Sequence, residues 1–254
     1  MIHSFYAEWE KIGFPKSSRL YLTFAMIFSV LMGLLFSFTT EITQQRALSE
    51  LKPMSVIEVN MLGVDVAALL LVLFTAVQIG REFQGKTIQT YLITTPDRTR
   101  YFGAKLLTFF LLAFLVGVLV ALLALGSGQL ILLSLHGRAL PGSQVWRFAA
   151  GCVAMPLFYV FLTVCAVFFS KSTAAGIVIP LGVMFLPVVA ELFPQAIQEA
   201  FIPILPASAI HTLSGAAQAG STEYTGVLTA FVILLAWSAL AAAIAISRFR
   251  KKDL

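Results

Sequence analysis

Residues Gly80 to Thr87 read Gly-Arg-Glu-Phe-Gln-Gly-Lys-Thr, which satisfies the phosphate-loop pattern G-x-x-x-x-G-K-[ST] letter for letter. In such a loop backbone amides cradle the phosphates, the lysine reaches the outer phosphates and the hydroxyl binds magnesium. The chemistry needs a turn between a buried strand and a helix, with an acid from a second strand. Here the pattern follows a long apolar run, and the 24 residues from Gly80 to Gly103 leave no room for the missing parts. Nucleotide binding is therefore not expected on this chain.

Few other side chains could do chemistry. Asp65 is the one acid inside an apolar run, and ionisable groups in a bilayer are costly enough to count as functional candidates. It sits four residues from the outer end of its run (61–79), where water is near and a helix N-terminus favours an acid. An alternative role is in an outward pathway. Glu191 closes another run as an interfacial acid. His136 and His211 have no clustered partners in the sequence, so no metal is expected. Cys152 and Cys165 lie thirteen positions apart on one expected helix, about 20 Å, and cannot bridge.

The elements that carry these residues follow from composition. The 254 residues are 59% hydrophobic and 11% charged, against roughly 45–50% and about 25% in soluble domains. Apolar runs of a length to cross about 30 Å of hydrocarbon recur six times: 20–38, 61–79, 104–125, 148–169, 174–192 and 226–247. The third opens on a stretch through Leu135 whose sole charge is Lys105, and Gly126-Ser127-Gly128 is expected to end the helix. The first run exceeds the apolar core of a signal peptide and lacks a small-residue cleavage pattern after Phe38. The expected fold is an all-α membrane protein of six transmembrane helices.

Basic residues set the orientation, because Lys and Arg beside a span resist translocation. With both termini inside, thirteen of the seventeen lie inside, and only Arg46, Lys52, Arg138 and Arg147 lie outside. Within residues 1–15, Ile2, Phe5, Trp9 and Ile12 recur at helical spacing while Glu8, Glu10 and Lys11 fall on other faces, the pattern of an interfacial helix. The stretch 193–225 is apolar, broken by Pro194, Pro203 and Pro206, and free of Lys and Arg. Short or re-entrant helices capping the outer end suit it. Pro156, Pro180 and Pro187 fall inside spans, where each removes a backbone hydrogen bond. No loop reaches the roughly 50 residues of a minimal domain, so any energy source must reside on another chain.

Residues 81–95 read as a cytoplasmic amphipathic helix between spans two and three, with Phe83, Thr87 or Ile88, and Tyr91 or Leu92 along one side. Thr95 and Pro96 suit an N-cap and first position for the next helix. The run Arg81 to Leu92, followed by Thr95-Pro96-Asp97-Arg98 and Gly103-Ala104-Lys105-Leu106, resembles the segment after the second span in type 2 ABC transporter permeases. The basic C-terminus from Arg248, the N-terminal surface helix and the six-span layout are similar too. Lys86 separates Gly85 from Thr87, where many members have Gly-Thr adjacent; this variant is most similar to the bacitracin and lantibiotic self-protection branch.

The resemblance implies a permease subunit of an exporter in the bacterial cytoplasmic membrane, moving an amphipathic peptide, drug or lipid-like substrate. It implies partners as well: two copies of a cytosolic ABC ATPase that carries the ATP and magnesium, and a second permease chain, identical or related. No cofactor resides on this chain, and contact is with membrane lipids, not nucleic acid. Carried over by position, Arg81, Glu82, Phe83, Gly85, Lys86, Thr87, Pro96 and Arg98 contact or orient the ATPase mechanically, with no catalytic residue. Two rivals stand beside this reading. A membrane-embedded enzyme needs converging nucleophiles or acids, and a secondary transporter needs coupling acids near mid-membrane in an inverted repeat.

The basic-residue split makes one outcome testable in intact cells. Single cysteines introduced as Gln45→Cys, Gly142→Cys and Thr222→Cys are expected to react with an impermeant thiol reagent. Gln89→Cys, Ser172→Cys and Lys252→Cys are expected not to; labelling of Lys252→Cys reverses the orientation.

Overall fold

In hydrocarbon a backbone has no water to bond, so a crossing segment must pair its amides and carbonyls internally, as a helix does. The structure, a computed structural model, describes residues 2–13, 15–40, 42, 48–85, 88, 97–137 and 142–251. Among these the regular structure is helical throughout: α1 (Ile2–Gly13), α2 (Lys16–Phe38), α3 (Pro53–Gln84), α4 (Arg98–His136), α5 (Ser143–Ser170), α6 (Thr173–Ala190), α7 (Gln195–Phe201), α8 (Pro206–Ser214) and α9 (Val227–Lys251), with short 3₁₀ turns at Leu48–Glu50 and Ile202–Ile204. Six of them, α2 to α6 and α9, are long and apolar enough to cross a membrane.

Several helices outrun their sequence-based spans. α3 begins eight residues before Met61, with Pro53 in its first turn, where a missing amide costs nothing. α4 runs 39 residues, about 58 Å, so part of it lies beyond a hydrocarbon core of about 30 Å. Gly126-Ser127-Gly128 does not end it. Gly128 instead lets the buried Asn60 side chain approach, with Nδ2 3.2 Å from where a Cβ would stand. Asn60 Nδ2 donates to the Ala124 carbonyl at 2.5 Å and to Ser127 Oγ at 2.8 Å. The helix stops at Gly137, whose φ of +68° suits a residue without Cβ. At the other end the N-cap is Asp97, not Thr95: its carboxylate accepts from the Thr99 and Arg100 amides.

α3 and α5 form the centre. α3 packs on α2, α4, α5 and α6, while α5 packs on α3, α4, α6, α8 and α9. The α2–α3 seam is built from small residues. Ser18, Ala25, Ser29, Gly33 and Ser37 form the buried stripe of α2. A Cβ on Gly33 would overlap the Asn60 carbonyl oxygen, and one on Gly63 the Ser29 carbonyl oxygen. Such close backbone approach replaces the hydrophobic drive that lipid cannot provide. The proline-broken stretch folds as α7, a 3₁₀ turn and α8, and α8 is buried along most of its length against α5 and α9. α5 and α6 continue through their internal prolines.

The seam gives a contrast between two glycines. Gly33→Leu is expected to destabilise by about 1–3 kcal/mol through overpacking, read as a lower melting temperature in detergent. Gly126→Leu is expected to be neutral in the same assay, because nothing lies within 4 Å of Gly126's Cβ position.

Candidate functional site

At one end of the bundle the last turn of α3 meets α1, the first turns of α4 and the end of α9. Lys105 projects from α4 into this junction with 3% of its side chain exposed. A buried ammonium must be paired. Its partners are Glu82 of α3, whose Oε1 accepts from Nζ at 2.6 Å, and Glu8 of α1. Lys11 pairs with Glu8 at 3.0 Å and lies 3.7 Å from Glu82. The Tyr101 hydroxyl donates to the second Glu82 oxygen at 2.5 Å. Two acids and two lysines thus balance, and three helices share the network.

Beside the charges lies an aromatic cluster. Phe83, Tyr101, Phe102 and the fully buried Phe168 and Phe249 pack with ring centroids 5.0–6.5 Å apart, mostly edge to face. Arg98 donates to the Phe249 carbonyl at 3.0 Å and stands 6.0 Å over the Phe249 ring, which fastens the end of α9 to the start of α4.

The sequence-derived site residues divide across this junction. Glu82 and Phe83 face inward to the network and the rings, Arg98 holds α9, and Arg81 and Gly85 are exposed. Residues 81–84 are the final turn of α3, not the opening of a separate helix; Lys86, Thr87, Pro96 and nearly all the rest of the 81–95 segment lie outside the described residues. Ile88, from that segment, is buried in the core. Gly80 sits inside α3 packed against Thr173, so the first residues of the phosphate-loop pattern have helical amides already bonded within α3. Sequence reasoning missed Glu8, Tyr101, Phe168 and Phe249. It set Glu8 on a different face of α1 from Ile12, yet both are buried where α1 packs on α4. Lys105 was the available signal, as the one charge near the start of an apolar stretch.

The opposite end holds a cleft of about 200 Å³ between α3, α5 and α8, lined among others by Glu58, Asp65, Met155 and His211. Asp65 lies twelve residues beyond the start of α3. The helix-terminus reading of this acid therefore fails, since that effect fades within the first turn. His211, set aside in the sequence, is its neighbour, and its Nδ1 donates at 3.0 Å to the Glu223 carboxylate. Thr212 Oγ1 donates to the Glu223 carbonyl, so the loop from 215 to 226 is strapped across α8.

Over residues 5–191 the chain matches the family described as ABC-2 family transporter protein. It belongs to that family, and is accordingly the multi-pass membrane permease of an ABC transporter. No curated protein and no solved structure matches it.

The strap titrates. Burial disfavours the His211 cation, but the hydrogen bond and charge of Glu223, with Asp65 of α3 behind it, outweigh this and raise the pKa. The His211 bond holds the Glu223 carboxyl below its usual value. A raised histidine stabilises fully below its unfolded pKa, about 6.5, and loses this as pH climbs through the folded value. The lowered acid stabilises above about 4.3 and loses this as pH falls through its folded value. Hydrogen exchange of residues 216–225, corrected for intrinsic rate, is expected to be slowest between about pH 4.5 and 6.5 and to quicken as pH climbs through the raised histidine value. His211→Ala is expected to remove that upper dependence.

Proposed function

We propose that this permease is the membrane half of an exporter in the bacterial cytoplasmic membrane, with both termini cytoplasmic. It moves an amphipathic peptide, drug or lipid-like substrate outward, in the manner of the self-protection transporters it resembles. ATP and magnesium act on a separate cytosolic ATPase, present in two copies, and a second permease chain, identical or related, completes the pathway.

The observation that carries this reading is the charged and aromatic junction where α1, α3, α4 and α9 converge. A push delivered by an ATPase to residues 81–98 meets the end of α3 there, and α3 packs directly on α2, α4, α5 and α6. Glu82 and Phe83 pass it on: the carboxylate through Lys105 to α1 and α4, the ring through Phe168 and Phe249 to α5 and α9. The thirteen-to-four basic split supports placing this end in the cytoplasm. α3 carries Asp65 and Glu58 into the cleft at the other end, so movement of α3 would reshape that cleft on the outward side.

The test is co-purification with the ATPase and reconstitution of the pair in vesicles. Lys86→Ala is expected to leave ATP hydrolysis within about twofold, because the coupling role gives its ammonium no phosphate to bind. Phe83→Ala is expected to lower substrate-stimulated hydrolysis and transport about tenfold while insertion and ATPase retention persist. Saturable ATP binding by the isolated chain that disappears in Lys86→Ala would restore the phosphate-loop reading. ATP-driven export by the chain alone would overturn the proposed division of labour.

A further inference from the structure

α9 is the least covered of the six long helices, and its apolar side chains do not close against α5 and α6. They leave a groove of about 250 Å³ whose walls include Leu162, Phe169, Ile179, Trp237 and Ile244, lined almost wholly by carbon. Phe169, Ile179 and Ile244 remain between a third and a half exposed. An open apolar trough on a spanning helix faces hydrocarbon chains, so shape alone does not say what fills it.

Its two ends do. At the junction end the exposed Arg248 guanidinium stands 5.3 Å over the Phe169 ring, placing a fixed positive charge at the mouth. At the other end the Trp237 indole donates to the Ile204 carbonyl at 3.0 Å, so that wall is anchored to the segment before α8. Arg248 and Trp237 are eleven residues apart on α9, about 16 Å. Half of a hydrocarbon core of about 30 Å is roughly 15 Å. The groove is therefore one leaflet deep, with a cation at headgroup level and an aromatic floor near mid-bilayer.

We propose that this groove binds one acyl chain of an anionic phospholipid, with Arg248 holding the phosphate-bearing headgroup. A zwitterionic lipid also offers a phosphate, but its own ammonium competes with and repels Arg248, whereas an anionic headgroup leaves the phosphate charge uncancelled. A second copy of the chain would satisfy the trough but supplies no anion to the Arg248 guanidinium over Phe169. The lipid stabilises α9 against α5 and α6, where the protein's own packing is thinnest.

Trp237 is a built-in reporter. In a Trp9→Phe, Trp146→Phe background it is the sole remaining tryptophan. The purified full chain is reconstituted in bilayers in which either phosphatidylglycerol or phosphatidylcholine, at equal mole fraction, carries bromine on the distal part of the acyl chain. Brominated phosphatidylglycerol is expected to quench Trp237 with about fivefold higher apparent association, equivalent to about 1 kcal/mol for one basic residue. Arg248→Lys is expected to keep the preference and Arg248→Gln to bring the ratio to about one. Equal quenching by the two lipids in the Arg248 protein, or a preference that survives Arg248→Gln, overturns the proposal. Quenching by both lipids that vanishes as the protein-to-lipid ratio rises assigns the groove to a second copy and overturns it as well.

Discussion

A lysine ammonium placed near the start of an apolar helix imposes the constraint on which the junction rests, because desolvating it unpaired would cost several kcal/mol. Lys105 meets that cost with Glu82 from α3 and Glu8 from α1, and those acids in turn hold Lys11 and Tyr101. Breaking such a pair leaves an orphan charge, so the network tolerates rigid movement better than partial separation. The helices it joins are therefore coupled in position. α1 is held on α4 both by the Glu8–Lys105 pair and by the buried Ile12.

A second buried polar group follows the same economy. Asn60 is fully buried, yet its amide has partners on α4 and its oxygen accepts from Ser37 at 3.4 Å. One side chain thus ties three helices where lipid gives no hydrophobic drive for association. The other end is built differently. Asp65, Glu58 and His211 line an open cleft, and their neighbour Glu223 belongs to a loop whose hold is electrostatic. Rigid charge pairing at one end and a titratable, partly open arrangement at the other suit the proposed coupling, in which force enters at the first and the second changes shape.

Packing grades from the centre outward. α3 and α5 are covered on most sides, whereas α9 is fastened near its last turn by Phe249 in the aromatic cluster and near its middle by Trp237 on the Ile204 carbonyl. Few buried apolar contacts imply low local stability. In a membrane the shortfall is made up by lipid, which makes the composition of the surrounding bilayer part of the energetics of this helix.

Composition and hydropathy by themselves determined the class: six helical crossings, short loops, and basic residues sorted to one side. A run of apolar residues in hydrocarbon has one way to satisfy its backbone, so length and charge suffice. The short motif at the end of α3 likewise pointed to the family. Tertiary structure decided the rest. Helix ends shifted by several residues because Pro53, Asp97 and Gly137 supply caps that hydropathy does not register. Gly126-Ser127-Gly128 lies inside a helix because Asn60, assigned to a loop by its position before an apolar run, needed that close approach. The partners of Lys105 come from residues 8 and 82, and those of His211 from residues 65 and 223. Pairings between distant positions carry no periodicity, so only the packed bundle reveals that Glu82 is committed within its own chain.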